Sequence, residues 1–128
     1  LVEINSEEGV EEDAPWVSAD EASEEISCSV FRSLCPVTGQ PDWATIRVTY
    51  SGKRINYQKL FSYLLSFRNS QAFHEECVEK IFSDLKKFCA PKELTVRANF
   101  LRRGGIELNP VRSTLEAFNK EVLRETKQ

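Results

Sequence analysis

The chain has 128 residues, which suits one domain around one core, and its 41% apolar share is ordinary for a soluble globular protein. No apolar run approaches the roughly 18 residues of a membrane span, and no basic, apolar leader opens the chain. The net charge of −3 conceals an asymmetry: residues 1–25 carry ten acids and no Lys or Arg, leaving residues 26–128 with ten acids, all seventeen bases and a net +7. Such a body attracts phosphates, on a nucleotide or a nucleic acid, or is simply a solvated basic surface. The sequence has no Met, which points to a processed chain or a piece of a longer one.

The acidic segment 1–25, with Gly9 and Pro15 and no sustained apolar period, is expected to be a flexible linker that Trp16 and Val17 tack onto the body. Folding signals begin near Ile26. Residues 26–34 can be extended, with Ile26, Cys28, Val30 and Arg32 on one face, and Pro36, Gly39 and Pro41 punctuate a loop after them. Residues 43–50 alternate as a half-buried strand with Ala44, Ile46, Val48 and Tyr50 inward. Ser51-Gly52-Lys53 reads as a turn.

Residues 56–67 form a helical pattern, with Leu60, Phe61, Leu64, Leu65 and Phe67 on its stripe. Residues 71–89 form a second, with Cys77, Val78, Ile81, Phe82, Leu85, Phe88 and Cys89 at the spacing of one buried face. Pro91 stops it. Residues 94–101 alternate again, with Leu94, Val96, Ala98 and Phe100 inward. Gly104-Gly105 marks a hairpin turn, residues 106–109 return as a short strand, and Ser113-Thr114-Leu115-Glu116 resembles a capping box opening a C-terminal helix. The expected fold is α+β: an antiparallel four-stranded sheet in the order ββααββ, both helices on one face, over residues 26–113, with residues 114–128 as a helix or tail.

Cys28, Cys35, Cys77 and Cys89 are spaced by seven, forty-two and twelve residues, which makes no CxxC pair and no zinc-finger frame. Without a secretion signal they are expected to be thiols. Cys35 and Asp42 lie seven positions apart across a Pro/Gly loop. A thiolate attacks electrophilic carbon, and a carboxylate within reach can move the proton. On spacing alone, a buried Cys35 and a turn-forming Asp42 are the simpler reading. His74, the only His, stands between Phe73 and Glu75 at a helix start. A carboxylate there can accept two N–H groups of a purine-like base, and the macrodipole favours it there without any ligand. Cys35, His74 and Cys77 are metal-ligand types without a fourth partner, so no metal site is read. Arg102-Arg103-Gly104-Gly105 can approach a phosphate closely or make a solvated hairpin tip.

Taken together these stretches resemble a known family, the NADPH-dependent 7-cyano-7-deazaguanine reductases of queuosine biosynthesis. The carrying motifs are Cys35-Pro-Val-Thr-Gly-Gln-Pro-Asp-Trp43, Ser66-Phe-Arg-Asn69, Phe73-His-Glu75 and Arg102-Arg-Gly-Gly-Ile106 through Asn109-Pro110. The resemblance implies the tunnelling fold, whose ββααββ units assemble side by side. It implies that Cys35 attacks the nitrile carbon to form a thioimide, that Asp42 transfers protons, and that two hydrides from NADPH complete the reduction. It implies that Glu75 holds the deazaguanine edge, Phe73 packs on the ring, His74 helps position substrate and proton, and residues 102–105 lie near the cofactor phosphates.

The family's Glu-Ser-Lys-Ser cofactor signature is absent: Asn56-Tyr57-Gln58-Lys59-Leu60-Phe61 stands in its place. Two-module members carry that signature in their N-terminal half, so the resemblance is to a C-terminal catalytic half. The expected setting is the cytoplasm, with a small-molecule substrate, no nucleic acid, no membrane, and assembly as a homo-oligomer or with an N-terminal half. Two other readings stay open. One is a cofactor-free amidinotransferase acting on a tRNA-bound nitrile, and the other a module that assembles without catalysing.

Overall fold

Alternating apolar residues become strands here, and the structure, a computed structural model, describes residues 1–5, 13–101 and 109–114. The strands are β1 (Val2–Glu3), β2 (Val17–Leu34), β3 (Pro41–Ile55), β4 (Glu93–Phe100) and β5 (Val111–Ser113). Among the described residues they form one five-stranded sheet in the order β1-β2-β3-β4-β5. β1 runs parallel to β2, and the other neighbours are antiparallel. Helices α1 (Tyr57–Leu65) and α2 (His74–Cys89) join β3 to β4 through a 3₁₀ turn at Ser66–Asn69. The ββααββ order is as expected, with β1 added at the outer edge of β2.

The core forms where the two periods meet. Ile46, Val48, Val96 and Ala98 on the sheet, and Leu60, Leu64, Ile81 and Leu85 on the helices, are all at most 1% exposed. Each such large side chain contributes about 1.5–3 kcal/mol on burial. Asn56 caps α1 by accepting the Lys59 N–H at 3.1 Å. At the start of α2 the Glu76 carboxylate accepts the Phe73 N–H at 3.1 Å. Ala90 closes α2 in the left-handed region (φ 45°), and Pro91 prevents its continuation.

Four expectations change. The strand expected from residue 26 begins at Val17, so the stretch expected to be flexible pairs with β3 at Val17 and again from Glu21 onward. Aromatic and polar contacts hold that stretch. Trp16 stacks on Phe88 at 5.1 Å and meets Tyr63 edge-on at 5.7 Å, while the Glu24 carboxylate accepts the Tyr50 and Tyr57 hydroxyls and faces Arg54 at 3.3 Å. Second, Ser51-Gly52-Lys53 is no turn, because β3 continues through it to Ile55. Third, Cys28 pairs with Ile46 but Phe31 with Ala44, so two residues of β2 oppose Thr45 alone. That bulge turns Phe31 and Ser33 inward, where strict alternation expects Val30 and Arg32. Fourth, Ser113 closes β5, and Thr114 bonds back to Leu94, so neither residue opens a helix. The hairpin turn and strand expected at residues 104–109, and the helix expected over 114–128, fall almost wholly outside the described residues.

Candidate active site

Cys35 follows directly on β2. Its N–H donates to the Gln40 carbonyl at 2.8 Å, and its own carbonyl accepts the Gly39 N–H at 2.8 Å. Gly39 supplies the left-handed φ of 72° that closes so tight a loop. The loop holds β2 and β3 in register, with Ser33 opposite Asp42 and Leu34 opposite Pro41. Cys35 thus stands one residue beyond the Leu34–Pro41 pair and two beyond Ser33, which faces Asp42.

His74 comes from a different element, as the first residue of α2. Leu34 donates its N–H to Ser70 at 2.9 Å and accepts the Ala72 N–H at 3.1 Å. This short parallel bridge clamps the lead-in to α2 against the end of β2, so the first residue of α2 falls beside the hairpin. There His74 Nε2 lies 3.2 Å from Asp42 Oδ2, with the two side chains 18% and 5% exposed. A carboxylate this far from water requires polar partners. When Asp42 is ionised it has no proton to give, so Nε2 must be the donor. The imidazole lies flat on Phe100, with ring centroids 3.8 Å apart and planes 8° apart. Its Nδ1 is buried and meets no hydrogen-bond partner among the described residues.

Asp42 and His74 are thus brought into contact, with Cys35 on the adjoining hairpin. Phe73 and Glu75 flank His74 and face solvent, Phe73 at 51% exposure. Arg102, Arg103, Gly104 and Gly105 lie outside the described residues. Sequence reasoning missed two members of this neighbourhood. Ser33, wholly buried opposite Asp42, is hidden by the bulge that breaks the alternation. Phe100 is legible only as an inward core residue, though it ends β4 beside the site.

The remaining thiols have a different character. Burial pushes Cys28, Cys77 and Cys89 above the ordinary thiol value of 9.0, Cys89 to about 11. Among the described residues no three His, Cys, Asp or Glu side chains gather as a metal site. A cavity of about 590 Å³ opens between α1 and α2, but its lining includes none of Cys35, Asp42 and His74. Several of its polar groups serve the fold: Tyr63 donates to Asp84, Lys80 pairs with Asp84, and Glu76 caps α2. Among the described residues no helix is long and apolar enough to cross a membrane.

The strand and helix order, with both helices over one sheet face, is that of a tunnelling-fold domain. An archaeosine synthase QueF-Like crystal structure in the apo form shares this fold at a TM-score of 0.63 and 19% identity, over 75% of this chain and 94% of that one. Within that class the chain belongs to the QueF-like family, whose model, described as QueF-like protein, matches residues 41–118. Among curated relatives, the NADPH-dependent 7-cyano-7-deazaguanine reductase of Hydrogenovibrio crunogenus is 52% identical over 73% of this chain. The reductases of the same name from Legionella pneumophila and Coxiella burnetii are 44% and 43% identical over 87% of it. The chain spans only 34–40% of the length of these relatives.

Proposed function

We propose that this chain is the catalytic half of an NADPH-dependent nitrile reductase that converts 7-cyano-7-deazaguanine to the aminomethyl compound, with Cys35 as nucleophile. The observation that carries the reading is the buried Asp42–His74 pair beside the Cys35 hairpin. The relatives' printed names supply the substrate and the reductant.

In the first step the Cys35 sulfur adds to the nitrile carbon. The thiol proton passes to the Asp42 carboxylate, and Asp42 delivers a proton to the nitrile nitrogen as the C–S bond forms. The product is a neutral thioimide, C(=NH)–S, with every proton accounted for. His74 Nε2–H donates to Asp42 before and after this transfer, because a protonated carboxyl keeps an acceptor oxygen. The imidazole therefore holds the acid in place through both protonation states. Glu75 would accept N–H groups of the deazaguanine edge, with Phe73 against its ring.

NADPH would supply the two hydrides that take the thioimide to the amine. Residues 56–61, where the family signature would stand, have other roles here. Asn56 is spent on capping α1, and the Lys59 ammonium is held by the Ala14 carbonyl and lies 5.8 Å from the centre of the Trp16 ring. Arg102, Arg103, Gly104 and Gly105 remain the proposed phosphate contact on this chain.

Intact mass spectrometry tests the first step. Mixed with 7-cyano-7-deazaguanine, the chain should gain the mass of one substrate, and Cys35→Ala should gain nothing. Asp42→Asn should slow capture by about 10²-fold or more, as loss of a positioned acid–base group does. Equal capture by the wild type and Cys35→Ala would refute the reading.

A further inference from the structure

Resting on the proposed nitrile capture, we infer that Phe100 is a positioning residue that sets the plane of the His74 imidazole and thereby aims Nε2 at Asp42. A hydrogen bond at 3.2 Å fixes the distance of one ring atom, but it leaves the ring free to rotate about the N···O line. A second contact must fix the plane, and the Phe100 face supplies it: the rings are parallel within 8° at 3.8 Å.

Phe100 is itself immobilised. It is 3% exposed, pairs in register with Ala44, and meets Phe31 edge-on at 6.3 Å, which in turn packs on Phe67 at 5.5 Å. Edge-on and tilted aromatic contacts of this kind favour one ring orientation over others. Ala44 lies two residues along β3 from Asp42, so Phe100 and Asp42 are diagonal neighbours on one face. The imidazole lies across both. A flat ring at residue 100 thus orients the hydrogen bond that Asp42 needs as it gains and loses its proton. An aliphatic side chain of similar volume would fill the space without defining a plane.

The chain has a single His, so its ring can be observed without assignment. In wild-type protein the His74 ring protons should be shifted upfield by the Phe100 ring current and show cross-relaxation to the Phe100 ring. Ring protons at ordinary positions would overturn the inference, whatever any variant does. In Phe100→Leu the ¹⁵N signature of a ring protonated at Nε2 should give way to a mixture of tautomers, with a dispersed amide spectrum confirming the fold. Nitrile capture should slow roughly 10–100-fold, the cost of a misplaced reacting group. Phe100→Tyr, which keeps the flat face, should restore both. If Phe100→Leu keeps the wild-type tautomer and capture rate, or if Phe100→Tyr is as impaired as Phe100→Leu, the inference fails. Wild-type protein that captures no nitrile would instead sink the proposed function, and the ring measurements would still decide the role of Phe100.

Discussion

At the scale of single residues, the four cysteines divide by environment. Cys28, Cys77 and Cys89 are at most 5% exposed and their thiols are pushed up by burial, whereas Cys35 sits half-buried on a hairpin. Alkylation needs both access and thiolate. Iodoacetamide at pH 8 should therefore label the folded chain once, at Cys35. Comparable labelling of the other three by peptide mapping would contradict their burial. The hairpin that carries Cys35 and Asp42 was legible in the sequence, because a Pro/Gly loop between two strands folds its ends together. The contact of His74 with Asp42, 32 residues apart, was not: it depends on how the lead-in to α2 docks on Leu34, and no local pattern encodes that docking. Phe73 and Glu75 were legible only through resemblance, and nothing in their exposed positions yet distinguishes them.

At the scale of elements, period-two and period-3.6 patterns located β3, β4, α1 and α2 to within a few residues. They failed where geometry departs from the period. The bulge at Ser29–Val30 shifts the inward set of β2 by one residue, and Ser51-Gly52-Lys53 carries turn chemistry inside a strand. Gly52 explains the second case. Its φ is 152°, and a Cβ there would stand 3.1 Å from the Pro91 Cα, so the residue is needed for a strained, crowded strand position. Gly52→Ala should lower unfolding free energy by about 1–3 kcal/mol. Urea denaturation measures this directly, and an unchanged midpoint would mean that β3 does not pass so close to Pro91.

At the scale of the whole molecule, acidic composition misled the reading of residues 17–25. Low hydrophobicity and like charge ordinarily signal disorder, yet here the acids occupy a strand whose backbone is paired and whose Glu24 is held by Tyr50, Tyr57 and Arg54. Trp16 is the anchor: besides its aromatic contacts, its carbonyl accepts the Asn56 N–H at 2.8 Å. Trp16→Ala should cost about 1–3 kcal/mol through the lost stacking on Phe88 and the lost edge-on contact with Tyr63. A thermal melt with no change would return this stretch to the status of a linker. The same docking leaves the site at the opposite end of β2, where the Cys35 hairpin, the start of α2 and the end of β4 converge.

In the proposed function, this end of the sheet captures a nitrile through one thiol. Peptide mass mapping after the chain is mixed with 7-cyano-7-deazaguanine tests it most directly. One substrate mass is expected on the peptide containing Cys35 and none on those containing Cys28, Cys77 or Cys89. An adduct on any other cysteine, or no adduct at all, would contradict it.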